Sequence, residues 1–471
     1  MAMDKNLAFI NLAQTQKGQF LMGLLSWVMI APHLGIWESA LAVTGAMLAA
    51  KLTAHRGVLL FVTTTATTFL ETWIGDIDTL EHIQGIMDAS QVTHLSAEVI
   101  AIACLAMLML LIPILLKWVA LFPGSFLAKR PLVALLGCEF FLSLWMGMPG
   151  FGPLATVWIW SMIFTFTPYI WFLAYAIVDQ RNDRSSPLLL QMGVTRPFWS
   201  PSYLPHGKGA AFLQKYAAKS NEELAVTQLK AIKLLFWANA LFAFTEAIHI
   251  VFLDHLHIPT LPNAIIEFTH ATPYSWRASW LALIISNAKY CLQIAAWAHL
   301  FVGVARLVGY RLPRGSWRPL ESKSLADYFN RFHFYFKELL VDFFFMPTFL
   351  RYFRKHPRLR QFFATFMAAG VGNAIWHFFR DIELVATQGW LSSLQTFTSY
   401  AFYCVLLAVG VGFSQMRSGM RIRPSQTRIE RVKSFVFIWT FVTCLHLFGN
   451  GSRAHSLEER LHFLSYLLGA S

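Results

Sequence analysis

Apolar runs long enough to cross a lipid bilayer recur along this chain, and no other feature constrains its fold as tightly. Residues 99–121, 154–178, 234–253, 278–304 and 391–413 form such runs, each near or above the roughly 20 residues a spanning helix needs. In hydrocarbon a single run satisfies its own N–H and C=O groups only as a helix. The expected fold is therefore all-α, a polytopic transmembrane helical bundle. Composition agrees: 13% of the 471 residues are charged and 56% are hydrophobic, whereas soluble domains carry about a quarter charged residues.

The net charge of +13 suggests nucleic acid until its distribution is read. No Lys or Arg occurs in residues 57–116, 131–180, 234–276 or 381–416. Between these windows the cations bunch, as in Lys51–Arg56, Lys117–Arg130 and Arg417–Lys433. Basic loops stay on the cytoplasmic side, so each window reads as a hairpin reaching the far side. The excess charge is then a topology signal with affinity for anionic lipid heads, and no nucleic-acid partner is expected. The expected location is integral and multi-pass in a membrane.

Several loops carry polar clusters. Glu71, Asp76, Asp78, Glu81, Asp88 and Glu98 surround the first outer turn without the regular spacing of a calcium loop, and read as a solvated loop. Asp254, His255 and His257 lie close together in "LDHLHIPTLP", where a polar turn outweighs a metal site; no metal is expected. The five cysteines (Cys104, Cys138, Cys291, Cys404 and Cys444) lie in apolar segments without a CxxC pair and read as small core residues. In the longer basic segment 179–233, Ser220 and Glu223 form a capping box that opens a helix.

The chemistry concentrates between residues 306 and 380. In "SLADYFNRFHFYFKELLVDFFFMP", Leu325, Phe329, Phe332, Phe336, Leu339 and Phe343 make an aromatic stripe at helical spacing. Asn330, His333 and Lys337 share another face, so the segment reads as one amphipathic helix at the inner surface. Pro347 ends or kinks it. Arg351, Arg354, Lys355, Arg358 and Arg360 follow as a cationic cluster, suited to anchoring on lipid phosphates or to a phosphorylated acyl donor. "QFFATFMAAGVGNAIWHFF" then reads as a membrane helix in which Gly370 and Gly372 admit a close neighbour. Asn373, His377 and Arg380 fall on one face of it. His377 lies about 25 Å along the helix from Arg360 at ~1.5 Å per residue. An ionisable group there is either a bonded core histidine or a functional base.

The ordered text "GVARLVGYRLPRGSW", "RPLESKSLADYFNRFH", Asp342, Pro347 and "IWHFF" resembles the membrane-bound O-acyltransferases. It is most similar to the bacterial branch with alginate O-acetyltransferase and the teichoic-acid D-alanyl transferase. Gly303, Ala305, Arg306, Gly309, Leu312, Pro313, Pro319, Ser324, Arg331, His333, Asp342, Pro347, Trp376 and His377 agree in order and spacing. Residues 291–299, "CLQIAAWAH", replace that family's acidic, glycine-bearing run, "VDF" stands for its R-D-Y, and Phe378 for the glycine after W-H.

The resemblance implies re-entrant or interfacial amphipathic helices around a central tunnel. It divides the chain into membrane helices with a cytoplasmic linker (1–290), a catalytic core (291–380) and closing membrane helices (381–471). It implies transfer of an acyl group, acetyl above all, from acyl-CoA or another thioester co-substrate, with no bound cofactor. The acceptor would be a hydroxyl of an envelope polysaccharide, or else of a lipid or small molecule. His377 would be the general base and His333 its partner, with Asn373 as an orienting group added from the residues themselves. Arg351, Arg354, Lys355 and Arg358 would receive the donor phosphates. Membrane lipids and a soluble envelope acyltransferase are the expected partners. Two readings from other classes stay open: a transporter using Lys289, Glu246 and His377, and a catalytically silent subunit of an envelope complex.

Overall fold

Among the described residues, seven helices are long and apolar enough to cross a membrane: Ala97–Leu121, Pro153–Asn182, Asn221–His255, Trp276–Leu307, Pro357–Arg380, Thr398–Arg417 and Arg428–Gly449. The pair Ile36–Lys51 and Thr53–Leu70, bent by 114°, makes an eighth if it is one span. These come from a computed structural model that describes residues 3–74, 77–148, 150–182, 186–418, 427–449 and 455–470. The side chains of Glu71, Asp76 and Asp78, from the acidic loop, lie outside the described residues. Among the described residues the regular elements are helices, with one isolated bridge between Ala217 and Tyr310. The all-α, multi-pass expectation stands.

The chain divides into two compact units, each discontinuous in sequence. The first comprises Met1–Trp237, His299–Pro313 and Arg380–Trp390. At its centre every residue from Ile170 to Ile177 is buried, as expected of a helix that is apolar all round. Gly193 packs backbone to backbone on the helix Arg56–Ile74, and a Cβ added there would meet Phe61 N at 2.6 Å. Thr64 Oγ1 donates to Gly193 O at 2.8 Å across the same contact. Ser220 caps its helix by accepting from Glu223 N, while the Glu223 carboxylate accepts from Lys219 N. The return bond of the expected box therefore lands one residue early.

The second unit comprises Ala238–Ala298, Arg314–Phe379 and Leu391–Ser471. One of its cores joins Cys291 and Ala295 to Tyr328, Phe332, Leu407, Val411, Ile438 and Val442. Polar bonds stitch its helices together: Asn287 Nδ2 donates to Thr443 Oγ1 at 3.1 Å, and Ser286 and His446 lie 3.0 Å apart. Trp276 and Trp280 both donate to Leu467 O. The buried guanidinium of Arg460 donates to Leu447 O and His455 O. Each bond relieves a group that lipid or core would otherwise leave unsatisfied.

Two expectations are corrected. Residues 325–343 do not form one helix: Leu325–Phe332 stops at His333, whose φ of −117° and ψ of +52° are not helical, and Phe334–Leu340 begins after it. A loop causes the break, because Trp317 N donates to Arg331 O and Phe334 N donates to Gly315 O. The run at 391–413 is likewise interrupted. Glu383–Thr396, itself kinked at Gly389 where φ is +78°, ends before Phe397, and a separate span starts at Thr398.

Candidate functional site

The span that carries His377 is not a uniform α-helix. Pro357–Phe366 passes into a π-helical turn, Met367–Gly372, and then into the helix Asn373–Arg380. Such turns widen the helix and occur often at functional sites. The glycines explain why this one fits. A Cβ on Gly370 would meet Ala408 Cβ at 3.1 Å, and one on Gly372 would meet the Phe344 ring at 2.7 Å. The close approach expected from these two residues is present, to the helix Thr398–Ser418 and to the segment around Phe344.

That approach brings Tyr400 to His377. Its hydroxyl lies 2.6 Å from His377 Nε2, and the two ring centroids are 4.2 Å apart. Trp376 and Phe336 complete an aromatic enclosure, with Phe336 packing on Trp376 at 5.0 Å and on His377 at 6.0 Å. One helical turn earlier Asn373 is 2% exposed, and its Oδ1 has no hydrogen-bond partner among the described residues. Residues four apart share a helix face with Cβ atoms about 5–6 Å apart. An imidazole and a phenol thus meet within an apolar bundle, with a buried amide one helical turn away. Arg380, the third residue of that face, is bonded through Nε and Nη2 to the Asp381 carboxylate at 2.7 and 2.9 Å.

His333 sits at the break between its two helices, against the rings of Phe332 at 4.3 Å and Phe329 at 6.3 Å. Burial lowers its pKa to about 4. In the first unit, His206 is buried against Ser200 Oγ at 2.8 Å, and burial again lowers its pKa to about 4. Both imidazoles are neutral in the folded chain where an unfolded histidine at 6.5 would begin to charge. The unfolded state then binds more protons between these values, so stability falls as pH drops from 6.5 towards 4. Thermal midpoints in detergent are expected to decline across this window, and less steeply in His206→Gln. An identical slope in that variant contradicts the assignment for His206.

The expected donor-phosphate residues are all exposed: Arg351 ends the helix Met346–Arg351, Arg354 and Lys355 lie on the turn after it, and Arg358 is in the first turn of Pro357–Phe366. Arg354 Nε donates to Leu350 O, and the Arg351 guanidinium lies over the Tyr352 ring. Arg360 is drawn inward instead, with its guanidinium 3.8 Å from the Phe349 ring centroid.

Several residues that carry the family resemblance have local structural work. Gly309 takes a φ of +97°, Arg306 donates to Leu312 O, and Ser324 caps a helix through Asp327 N. Arg331 pairs with Asp327 at 2.9 Å and faces Trp317. No family model matches the chain, and no curated protein matches it.

Sequence reasoning missed two partners. Tyr400 is 23 residues from His377 and looks like one more aromatic in an apolar run. Lys289, mid-span, meets His249 Nδ1 at 2.7 Å, and His249 Nε2 lies 3.7 Å from Asp254. Asp254 was visible only as part of a polar turn.

Proposed function

We propose that this chain is a membrane-bound O-acyltransferase that moves an acyl group from a thioester to a hydroxyl. The observation that carries the reading is the 2.6 Å contact between His377 and Tyr400 beside the buried amide of Asn373. The ordered motif series ending in "IWHFF" supports it. A hydroxyl is a weak nucleophile near neutral pH and needs a base within hydrogen-bond reach. In this reading Tyr400 gives its proton to His377 Nε2 as it takes the proton of the acceptor hydroxyl. The acceptor oxygen bonds to the thioester carbonyl carbon, the C–S bond breaks, and the thiolate leaves with the proton returned by the imidazolium. Asn373 receives a hydrogen bond from, or gives one to, the bound acceptor. An envelope glycan is the first acceptor to test, and a lipid or small-molecule hydroxyl the second.

The test uses the full chain in lipid nanodiscs with radiolabelled acetyl-CoA and candidate hydroxyl acceptors. Replacing Arg351, Arg354, Lys355 and Arg358 together with glutamine is expected to raise KM for acetyl-CoA about tenfold while kcat holds, as for lost ground-state binding. An unchanged KM assigns these residues to lipid anchoring instead.

The contact of Lys289 with His249, and of His249 with Asp254, favours ion translocation as a second reading, since ionisable residues within spans mark ion paths. Cation or proton flux in proteoliposomes, without acyl transfer, would select it.

A further inference from the structure

Glu139 is the only Asp, Glu, Lys or Arg between Arg130 and Asp179. It lies in the middle of the helix Pro131–Met146 and is 2% exposed. Opposite it, the span Pro153–Asn182 tightens from the helix Pro153–Phe166 into a 3₁₀ turn, Thr167–Tyr169, before the helix Ile170–Asn182. Pro168 sits in that turn and has no N–H for the helical ladder. A mid-helix stretch of 3₁₀ often marks a functional hinge.

The hydrogen bonds at this turn link the state of the carboxyl to the helix. Thr167 Oγ1 lies 2.8 Å from Ile163 O and is also hydrogen-bonded to Glu139 Oε1. A hydroxyl carries one hydrogen, and a carbonyl oxygen only accepts. With the threonine hydrogen on Ile163 O, the contact to Glu139 takes its hydrogen from a protonated carboxyl; a carboxylate would instead draw the threonine hydrogen to itself. The second carboxyl oxygen, Oε2, has no partner among the described residues. A bare carboxylate in this position would carry a large desolvation cost.

Charged neighbours do not supply the balance. On the elements packed against this helix, Arg181 donates to Ala128 O, and Asp179 accepts from Ala211 N. Tyr169 lies under the Arg196 guanidinium. Tyr175 belongs to the Ile170–Asn182 helix, Lys129 to the preceding turn, and Glu383 to the helix whose Trp390 packs on Phe140.

We propose that Glu139 is a proton-binding site within the membrane, a neutral acid at neutral pH that donates to Thr167 and releases its proton on demand. Deprotonation leaves two acceptors, the carboxylate and Ile163 O, for one threonine hydrogen. Loss of the side-chain bond to Ile163 then loosens the 3₁₀ turn at Thr167–Tyr169, so the ligand of this site is a proton and its readout is the local geometry of that turn. The inference is independent of acyl transfer.

Infrared difference spectra of the full chain in nanodiscs, recorded across a pH series, test it. The expected result is a protonated-carboxyl C=O band at neutral pH that disappears reversibly at alkaline pH and is lost in Glu139→Gln. Thr167→Val should keep the band at a shifted frequency, because the acid loses its acceptor. Dicyclohexylcarbodiimide gives a check that needs no variant. The carboxyl proton passes to a carbodiimide nitrogen, the oxygen adds to the central carbon, and acyl migration leaves a stable N-acylurea on Glu139. No Glu139-dependent band at neutral pH, or a band that persists until the protein unfolds, overturns the proposal.

Discussion

Replacing His377 with alanine is expected to lower acyl transfer by about 10²–10⁴-fold, the usual scale for a lost general base. The loss should fall on kcat, since the imidazole, through Tyr400, draws off the proton of the attacking hydroxyl and does not touch the thioester's binding groups. Tyr400→Phe separates two roles for the phenol. As a proton relay, with its oxygen 2.6 Å from Nε2, it should cost as much as His377→Ala. As a mere orienting group it should cost about tenfold, the worth of one hydrogen bond of ~1–1.5 kcal/mol. Both variants keep the glycine contacts at Gly370 and Gly372, so elution on size exclusion should match the parent. Transfer at the parental rate in folded His377→Ala removes the base from the account.

The largest stability effect is expected at Gly193→Val. The added carbon atoms meet the backbone of Phe61 and Leu60 within about 3 Å, at 2.6 and 2.9 Å for the Cβ alone. Backbone cannot rotate away as a side chain does, so the two helices must part and the Thr64 bond to Gly193 O is lost with them. Overpacking of this kind costs about 3 kcal/mol or more. Gly85→Ala is the control: its Cβ would meet nothing within 4 Å, and alanine in a helix gains about 0.5–1 kcal/mol over glycine. Thermal midpoints in detergent should fall sharply in the first and hold or rise in the second. Equal midpoints would show that the Gly193 contact yields without cost.

How much was legible in the sequence follows from the range of the interactions. Length and apolarity revealed the spans, because in lipid a helix needs no partner to satisfy its backbone. The two glycines announced a close contact, but not that its far side would be Ala408 and Phe344. Periodicity across 325–343 predicted a single helix. It failed at His333 because the competing bonds come from Gly315 and Trp317, a tertiary contact that leaves no trace in spacing. Tyr400 and the His249–Lys289 pair were hidden for the same reason, lying 23 and 40 residues from their partners. Glu139 carried a signal that went unread: a lone acid in a long apolar stretch has to find a proton or a partner.

The central claim, that this chain forms an ester bond, is tested most directly on the unmodified protein. Purified chain in nanodiscs is incubated with acetyl-CoA labelled in the acetyl group and with envelope glycan, and the glycan is then recovered. The account predicts label on the glycan, released by hydroxylamine as an ester is, with free CoA formed in equal amount. CoA release without glycan label, or no turnover of acetyl-CoA with any hydroxyl acceptor, contradicts it.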